Sequence, residues 1–381
     1  MLDVMSTPPL AVAAAAPAGP GPRLPASTAP RSVRLRPHHV VLRRGPDAVQ
    51  VGLLPGRAVE VAGLPPPLLA LLLGLHGAWP LDELVAQAVE LGAEEADTRV
   101  LLADLVDAGA LLDAAAHRRV AQARAAAGVL VRGVGPLLAG VATGLASAGV
   151  GTLWVDTEGT VAAEELGIYG PAAQGHTRAD AVLAEIHRVA PEAKVRVGPP
   201  RRRPDLAVLT DALAPDPDRH RELAGRGVPQ LVVRLADGIG LVGPLVLPGR
   251  TACLHCLDLH RAARDPGWPI VASRLAGLVG SAGLATVSAT AALGVEQALL
   301  AIDGIMGAEP PPTLDSVLEL DLSRGGLRHR RWAPHPGCGC GAAHTRPGDA
   351  GNPAETSQSV PRPGEPAPPQ GEEACATRSG Q

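Results

Sequence analysis

Val129-Leu130-Val131-Arg132-Gly133-Val134-Gly135-Pro136-Leu137-Leu138 reads as a strand that turns sharply into a helix. Two glycines of a G-x-G-x-x-G fingerprint are present, and Leu138 stands where the third would be. The helix runs to about Ala148, and a second strand, Thr152 to Asp156, ends on an acid about twenty residues after the turn, where a carboxylate would hold ribose hydroxyls. Leu138 would crowd helix against strand, so the turn suits nucleotide contact or simple packing.

The alternation continues with a helix near Asp180 to Val189 and strands at Lys194 to Val197, Leu206 to Leu209 and Gln230 to Val233. Late strands are expected at Val317 to Leu322 and Leu327 to Trp332. Strand and helix alternation of this kind predicts an α/β domain with a parallel, doubly wound sheet over residues 126–342.

A different texture precedes it, over residues 31–118. Strand-like runs at His39 to Leu42, Ala48 to Leu53 and Arg57 to Val61 are separated by Gly45-Pro46 and Pro55-Gly56. Helical spacing follows at Pro66 to Leu75, Leu81 to Leu91 and Glu94 to Ala108, with Gly109 as a C-cap. The arrangement is winged-helix-like. Its third helix carries Glu94, Glu95, Asp97, Asp104 and Asp107 against Arg99 alone, a charge that repels phosphate. Arg31, Arg34, Arg36, Arg43, Arg44 and Arg57 lie on or before the strands, where an extended peptide could add as a further strand. Peptide docking is therefore expected ahead of DNA binding, and a purely structural role stays open.

Residues 1–30 are Ala/Pro-rich without periodicity, and residues 345–381 are rich in Gly, Pro, Ser and Glu; both read as disordered tails. The 381-residue chain holds 45 Gly and 39 Pro, a level that fits such tails. A net charge of -4 gives no general electrostatic attraction to nucleic acid or an anionic membrane. No basic segment precedes the apolar run Leu10 to Ala16, so no signal peptide and a cytoplasmic protein are expected. Two uncharged runs, Gly133 to Val155 and Leu275 to Val295, are long enough to span a bilayer, but their Gly, Ala, Ser and Thr content favours buried elements. The second could support a homodimer as well as a core.

Four of the five cysteines form two tight pairs, Cys253-Leu254-His255-Cys256 and Cys338-Gly339-Cys340. Two such knuckles commonly close one tetrahedral zinc site. A redox pair, disulfides and chance clustering are the alternatives, but nothing indicates export and simple thiol exchange needs no second pair. His255 and His335 lie beside the pairs and could replace a sulfur, and Cys375 falls in the tail.

Taken together, Gly133-Val134-Gly135, Ala148-Gly149-Val150-Gly151, Val155-Asp156-Thr157-Glu158, Pro191 and the cysteine pairs resemble the ThiF superfamily of adenylyltransferases, over about residues 126–342. With residues 33–113 in front, the chain is similar to the leader-peptide-binding partner proteins of thiazole/oxazole-modified peptide cyclodehydratases. The resemblance implies ATP and Mg2+ as cofactors beside structural zinc, with Gly133, Gly135, Asp156 and Glu158 near nucleotide, Asp211 on magnesium and Arg178 in place of the family lysine. It also implies a precursor peptide and a separate cyclodehydratase or other tailoring enzyme as partners. Glu165 and Ile168 stand where active members carry Asn and Arg, and no cysteine remains for a thioester. The expected function is a peptide-binding scaffold with a degenerate nucleotide site; the alternative is an active adenylyltransferase acting on a peptide carboxylate.

Overall fold

The computed structural model describes residues 11–14, 30–275, 277–304 and 310–344, and the chain divides into two compact units at residues 122 and 123. The 345–381 tail and Cys375 lie outside the described residues.

The first unit holds β1 (Ala11–Ala14), β2 (Ser32–Leu35), β3 (Val41–Arg43), β4 (Val49–Val51), β5 (Val59–Ala62), α1 (Pro66–Leu73), β6 (Ala78–Pro80), α2 (Leu81–Glu90), α3 (Glu95–Asp107) and β7 (Leu111–Asp113). The three strands and three helices expected between 39 and 108 correspond to β3–β5 and α1–α3. The strands make two sheets, ordered β1-β5-β4-β3 and β6-β2-β7. Alternate residues Val49, Val51, Val59 and Val61 face inward and meet the buried Leu68, Leu72, Leu84, Leu101 and Leu105 of the helices. Inside the segment 1–30 expected to be disordered, Ala11–Ala14 pair antiparallel with β5, Val12 opposite Val61. Small apolar residues without a charge suit such an edge addition. On α3, the single cation Arg99 is already engaged by Glu95 at 3.0 Å and Asp82 at 3.2 Å, leaving the helix acidic.

Helix α4 (Ala114–Ala126) carries the chain onward. The second unit contains β8 (Gly128–Arg132), α5 (Pro136–Ser147), β9 (Thr152–Asp156), α6 (Leu166–Tyr169), α7 (Arg178–Val189), β10 (Val195–Val197), β11 (Leu206–Thr210), α8 (Pro217–Gly225), β12 (Gln230–Ala236), β13 (Ile239–Val246), α9 (Leu254–Arg264), α10 (Trp268–Leu275), α11 (Leu284–Gly304), β14 (Ser316–Asp321) and β15 (Gly326–Arg331). They build one eight-stranded sheet, β10-β9-β8-β11-β12-β13-β14-β15, parallel through its first five strands and antiparallel thereafter. The order steps outward from β8 in both directions. Its C-terminal edge therefore has a crevice between β8 and β11, where α/β sheets place their ligands.

One face is packed by α5, α7 and α11, burying Val129, Val131, Leu137, Leu145, Ile186, Val208 and Val233. Leu138 is fully buried in the same cluster; it fills the space in which the third fingerprint glycine would allow a closer helix. The run Gly133 to Val155 proves to be α5 and β9. The run Leu275 to Val295 contains most of α11, which is long and apolar enough by composition to cross a membrane, yet buries Val287, Thr290, Ala291, Gly294, Ala298 and Ile302. Its approach is close. A Cβ on Gly140 would stand 2.7 Å from Ala291 Cβ, and one on Gly144 would stand 2.6 Å from Val295 Cγ2.

Candidate functional site

At the crevice, β8 ends on Arg132 beside Asp156 of β9, and the turn Gly133–Gly135 leads into α5. An open cleft of about 680 Å³ lies here, lined among others by Arg132, Asp156, Thr157, Glu158, Asp216 and Arg219. Gly133, Asp156 and Glu158 are thus brought together as the sequence suggests. Asp211 and Arg178 are elsewhere in the same neighbourhood.

Thr210 and Ala212 line the cleft, whereas Asp211 between them is fully buried. The residue has a φ of 71°, a left-handed conformation that acidic residues tolerate better than most and that redirects its side chain. Its Oδ1 accepts from the Leu137 amide at 2.8 Å and its Oδ2 from the Thr210 hydroxyl at 2.6 Å. The carboxylate occupies the N-terminus of α5, where unpaired amides would otherwise receive an anion. The glycine turn accommodates it: a Cβ on Gly133 would lie 2.5 Å from Asp211 Oδ2, and one on Gly135 2.8 Å from Asp211 Oδ1 and 2.8 Å from Val279 Cγ1. Residues 278–280 close over the group, with the Gly280 amide donating to the Asp211 carbonyl at 3.0 Å. Sequence reasoning placed this acid but not its direction, because the packing of β8 against β11 is not a local signal.

Burial pushes Asp211 up to about 6, against the pull of the Thr210 hydroxyl and of the Leu137, Gly135 and Leu138 amides. A folded value above the ordinary 3.8 means that the stability tied to this proton is fully present below about pH 4 and is lost as pH rises through 6. The wild type is therefore expected to gain on Asp211→Asn by up to about 3 kcal/mol between pH 8 and pH 4. Paired denaturant titrations of the two proteins at both pH values check this; a constant difference would place Asp211 in an ordinary carboxylate environment.

Arg178 is also buried. Its guanidinium meets both oxygens of Glu165 at 2.9 and 3.2 Å, and donates to the Thr160 carbonyl at 3.0 Å and to the Glu158 carbonyl. Thr177 caps α7 just before it, accepting from the Asp180 amide at 3.1 Å. Glu165 thus supplies the counter-charge for Arg178. Ile168, the other departure noted in the sequence, packs against the apolar core.

The cleft lining is not cationic. Arg132 pairs with Asp156 at 2.5 Å and Arg219 with Glu222 at 2.9 Å, while Glu158 and Asp216 add negative charge. A triphosphate carrying roughly four negative charges gains no net attraction from such a lining. A magnesium ion seeks several hard oxygens, and Asp211 has its two engaged inside the helix turn.

The four cysteines form a second site. Cys253 sits at the N-cap of α9 and Cys256 in its first turn, while Cys338 and Cys340 follow β15. Their sulfurs are 3.7 Å apart for Cys253 and Cys256, 3.6 Å for Cys253 and Cys338, and 3.6 Å for Cys256 and Cys340. All four lie within 4.8 Å of one another, which matches the roughly 3.8 Å spacing of thiolates about a tetrahedral ion with 2.3 Å bonds. The Cys253 thiol, by donating to it, holds Cys256 below the ordinary thiol value, while burial pushes Cys338 above it. Four adjacent thiolates repel, and a dication removes that conflict. His335 instead accepts the Gly337 amide at 3.0 Å and packs edge-on to His260. The cluster can hold a metal ion.

No protein-family model matches the chain, and no curated protein matches its sequence. Solved structures do. The Escherichia coli protein MccB with ATP superposes with a TM-score of 0.60 at 14% identity, covering 81% of this chain and 99% of that one. The microcin C7 biosynthetic enzyme MccB in complex with N-formylated MccA gives the same values. PaaA superposes with a TM-score of 0.54 at 15% identity, covering 77% and 98%. The fold is of the ThiF type. This ThiF-type likeness extends beyond residues 123–381, which are 68% of the chain, and so takes in part of the first unit. At 14–15% identity it concerns the backbone.

Proposed function

We propose that this chain is a peptide-binding scaffold of a peptide-tailoring system, built on a ThiF-type fold whose nucleotide site is closed by its own side chains. The observation that carries the reading is the internal engagement of Asp211 and Arg178, the two groups that phosphate chemistry would need. Peptide binding is supported by the first unit, where β5 accepts an extended apolar segment, Ala11–Ala14, as an added strand. The superposed MccB was solved with MccA, which adds support for a peptide as ligand. In this reading the first unit holds a precursor peptide and presents it in the cytoplasm to a separate enzyme such as a cyclodehydratase. The acidic α3 makes nucleic acid an unfavourable partner. Cys253, Cys256, Cys338 and Cys340 hold structural zinc, which supplies stability and no chemistry.

Calorimetry with ATP and magnesium is expected to show no binding tighter than about 1 mM, about -4 kcal/mol at the standard state. Pyrophosphate exchange is expected at background in the presence of peptide. Micromolar ATP affinity, with exchange abolished in Asp211→Ala, would overturn the scaffold reading.

One observation favours the second reading, an active adenylyltransferase. The Thr157 hydroxyl at the cleft is buried without a protein partner, and a ribose hydroxyl would satisfy it. That reading requires Asp211 to leave the α5 terminus when nucleotide enters, so the exchange assay separates the two.

A further inference from the structure

The outer corner of the large sheet carries a basic groove that neither the cleft nor the cysteine site uses. Strand β10 is an edge strand, paired on one side only with β9. Lys194 accepts from the Leu153 amide and Gly198 donates to the Val155 carbonyl, so the alternate residues Val195 and Val197 direct their amides and carbonyls outward from the sheet. Arg196 lies opposite Trp154 in the register and shares its face. Beside them Arg201 and Arg202 complete an open groove of about 1230 Å³.

The charge here runs against that of the whole chain. From 194 to 203 the sequence carries Lys194, Arg196, Arg201, Arg202 and Arg203 and no acid, in a protein of net charge -4. Arg203 donates to the Gly227 carbonyl, while Arg196, Arg201 and Arg202 have no carboxylate partner among the described residues. Of the two acids that flank the segment, Glu192 and Asp205, Asp205 accepts from the Gly128 amide at 2.7 Å. Natural proteins place Lys and Arg on edge strands to keep identical edges apart, and the same feature selects a partner of opposite charge.

We propose that this corner is a docking site for an extended acidic peptide segment of a partner protein. The peptide adds to β10 through the outward groups of Val195 and Val197, and its alternate carboxylates meet Arg196, Arg201 and Arg202 in forked geometry. A single-stranded nucleic acid is the weaker fit: Arg202 lies over the Trp154 ring at 5.0 Å, and the indole is only 6% exposed, so no free aromatic face is offered to a base. The site is independent of the peptide reading of the first unit.

The test uses the full chain and a fluorescein-labelled peptide alternating Glu and Val, followed by anisotropy at low salt. Binding is expected, with roughly tenfold or greater loss in an Arg196→Gln, Arg201→Gln, Arg202→Gln triple variant, whose exposed positions leave the melting temperature unchanged. The same peptide with alternate amides N-methylated keeps its charge but cannot complete a ladder, and is expected to lose binding to a similar extent. Undiminished binding of either the triple variant or the methylated peptide would overturn the proposal. So would an oligo-dT of equal length that binds more tightly than the peptide and loses that binding in the triple variant.

Discussion

Chelation with a strong zinc ligand, or Cys338→Ser, is expected to take the metal content from about one zinc per chain to near zero and to lower the melting temperature of the second unit by roughly 10 °C or more. The expectation follows from where the cluster sits. Val246, Ala252, Leu257, Val317 and Trp332 are buried with Cys253, Cys256 and Cys338 in a core of their own, so the cysteines join the end of β13, α9 and the segment after β15. Between the pairs lie the 81 residues from 257 to 337, which include α10, α11, β14 and β15. Closing so long a loop with one ion removes much of the freedom of the unfolded chain. Elemental analysis and thermal melts with and without chelator check both parts. Full stability after chelation, or sulfur modification without loss of metal, would show that the four thiols serve another purpose.

Glu165→Ala is expected to destabilise the second unit by about 3–5 kcal/mol, the usual cost of leaving one member of a buried ion pair alone. Glu165 accepts Arg178 with both oxygens and also the Ala162 amide at 2.9 Å, so the change strands a guanidinium and an amide together. The double change Glu165→Leu, Arg178→Met removes both charges and is expected to recover most of the loss, because desolvation of each partner disappears with it. By contrast, Asp218→Ala breaks a pair whose side chains are 74% and 79% exposed, and is expected to cost less than about 1 kcal/mol. Denaturant midpoints of the four proteins decide the matter. A single-variant loss as small as that of Asp218→Ala would mean that solvent reaches Arg178.

The elements legible in the sequence are those whose signal is local. Leu206–Thr210 and Gln230–Ala236 are apolar runs that can only be buried strands, and the three helices of the first unit announce themselves by spacing. The cysteine pairs were legible for the same reason, since a two-residue and a one-residue gap keep the thiols of each pair close, while the meeting of the two pairs rests on the packing of β13, α9 and the segment after β15. Strand β13 was not, because Gly240, Gly243 and Pro244 give it the look of a loop; it is a strand because β12 and β14 flank it. Nor was β1, whose alanines carry no periodicity and gain a partner only when β5 presents an edge. The candidate site was half legible. Gly133, Asp156 and Glu158 follow from the strand ends, but the direction of Asp211 depends on a positive φ and on α5 in the neighbouring crossover. The Glu165 partnership with Arg178 depends on a turn that brings residues 13 apart face to face.

The tight seat of α11 has a consequence for how the protein is made. Its 21 residues have a mean hydropathy of 1.4 in their most apolar window, near the range that insertion machinery recognises as a membrane span. Where α5 and β12 approach closely, Thr290, Ala291, Gly294 and Ala298 bury the helix in place of further Leu and Ile, each of which would lower its insertion free energy by roughly 0.3–0.6 kcal/mol. Gly294→Leu would therefore act twice: a Cβ there already meets Val233 Cγ2 at 2.9 Å in the folded chain, and the added leucine raises the affinity of the nascent helix for a bilayer before the sheet exists to receive it. Small residues in this helix keep the growing polypeptide on its way to the fold as well as filling the finished core.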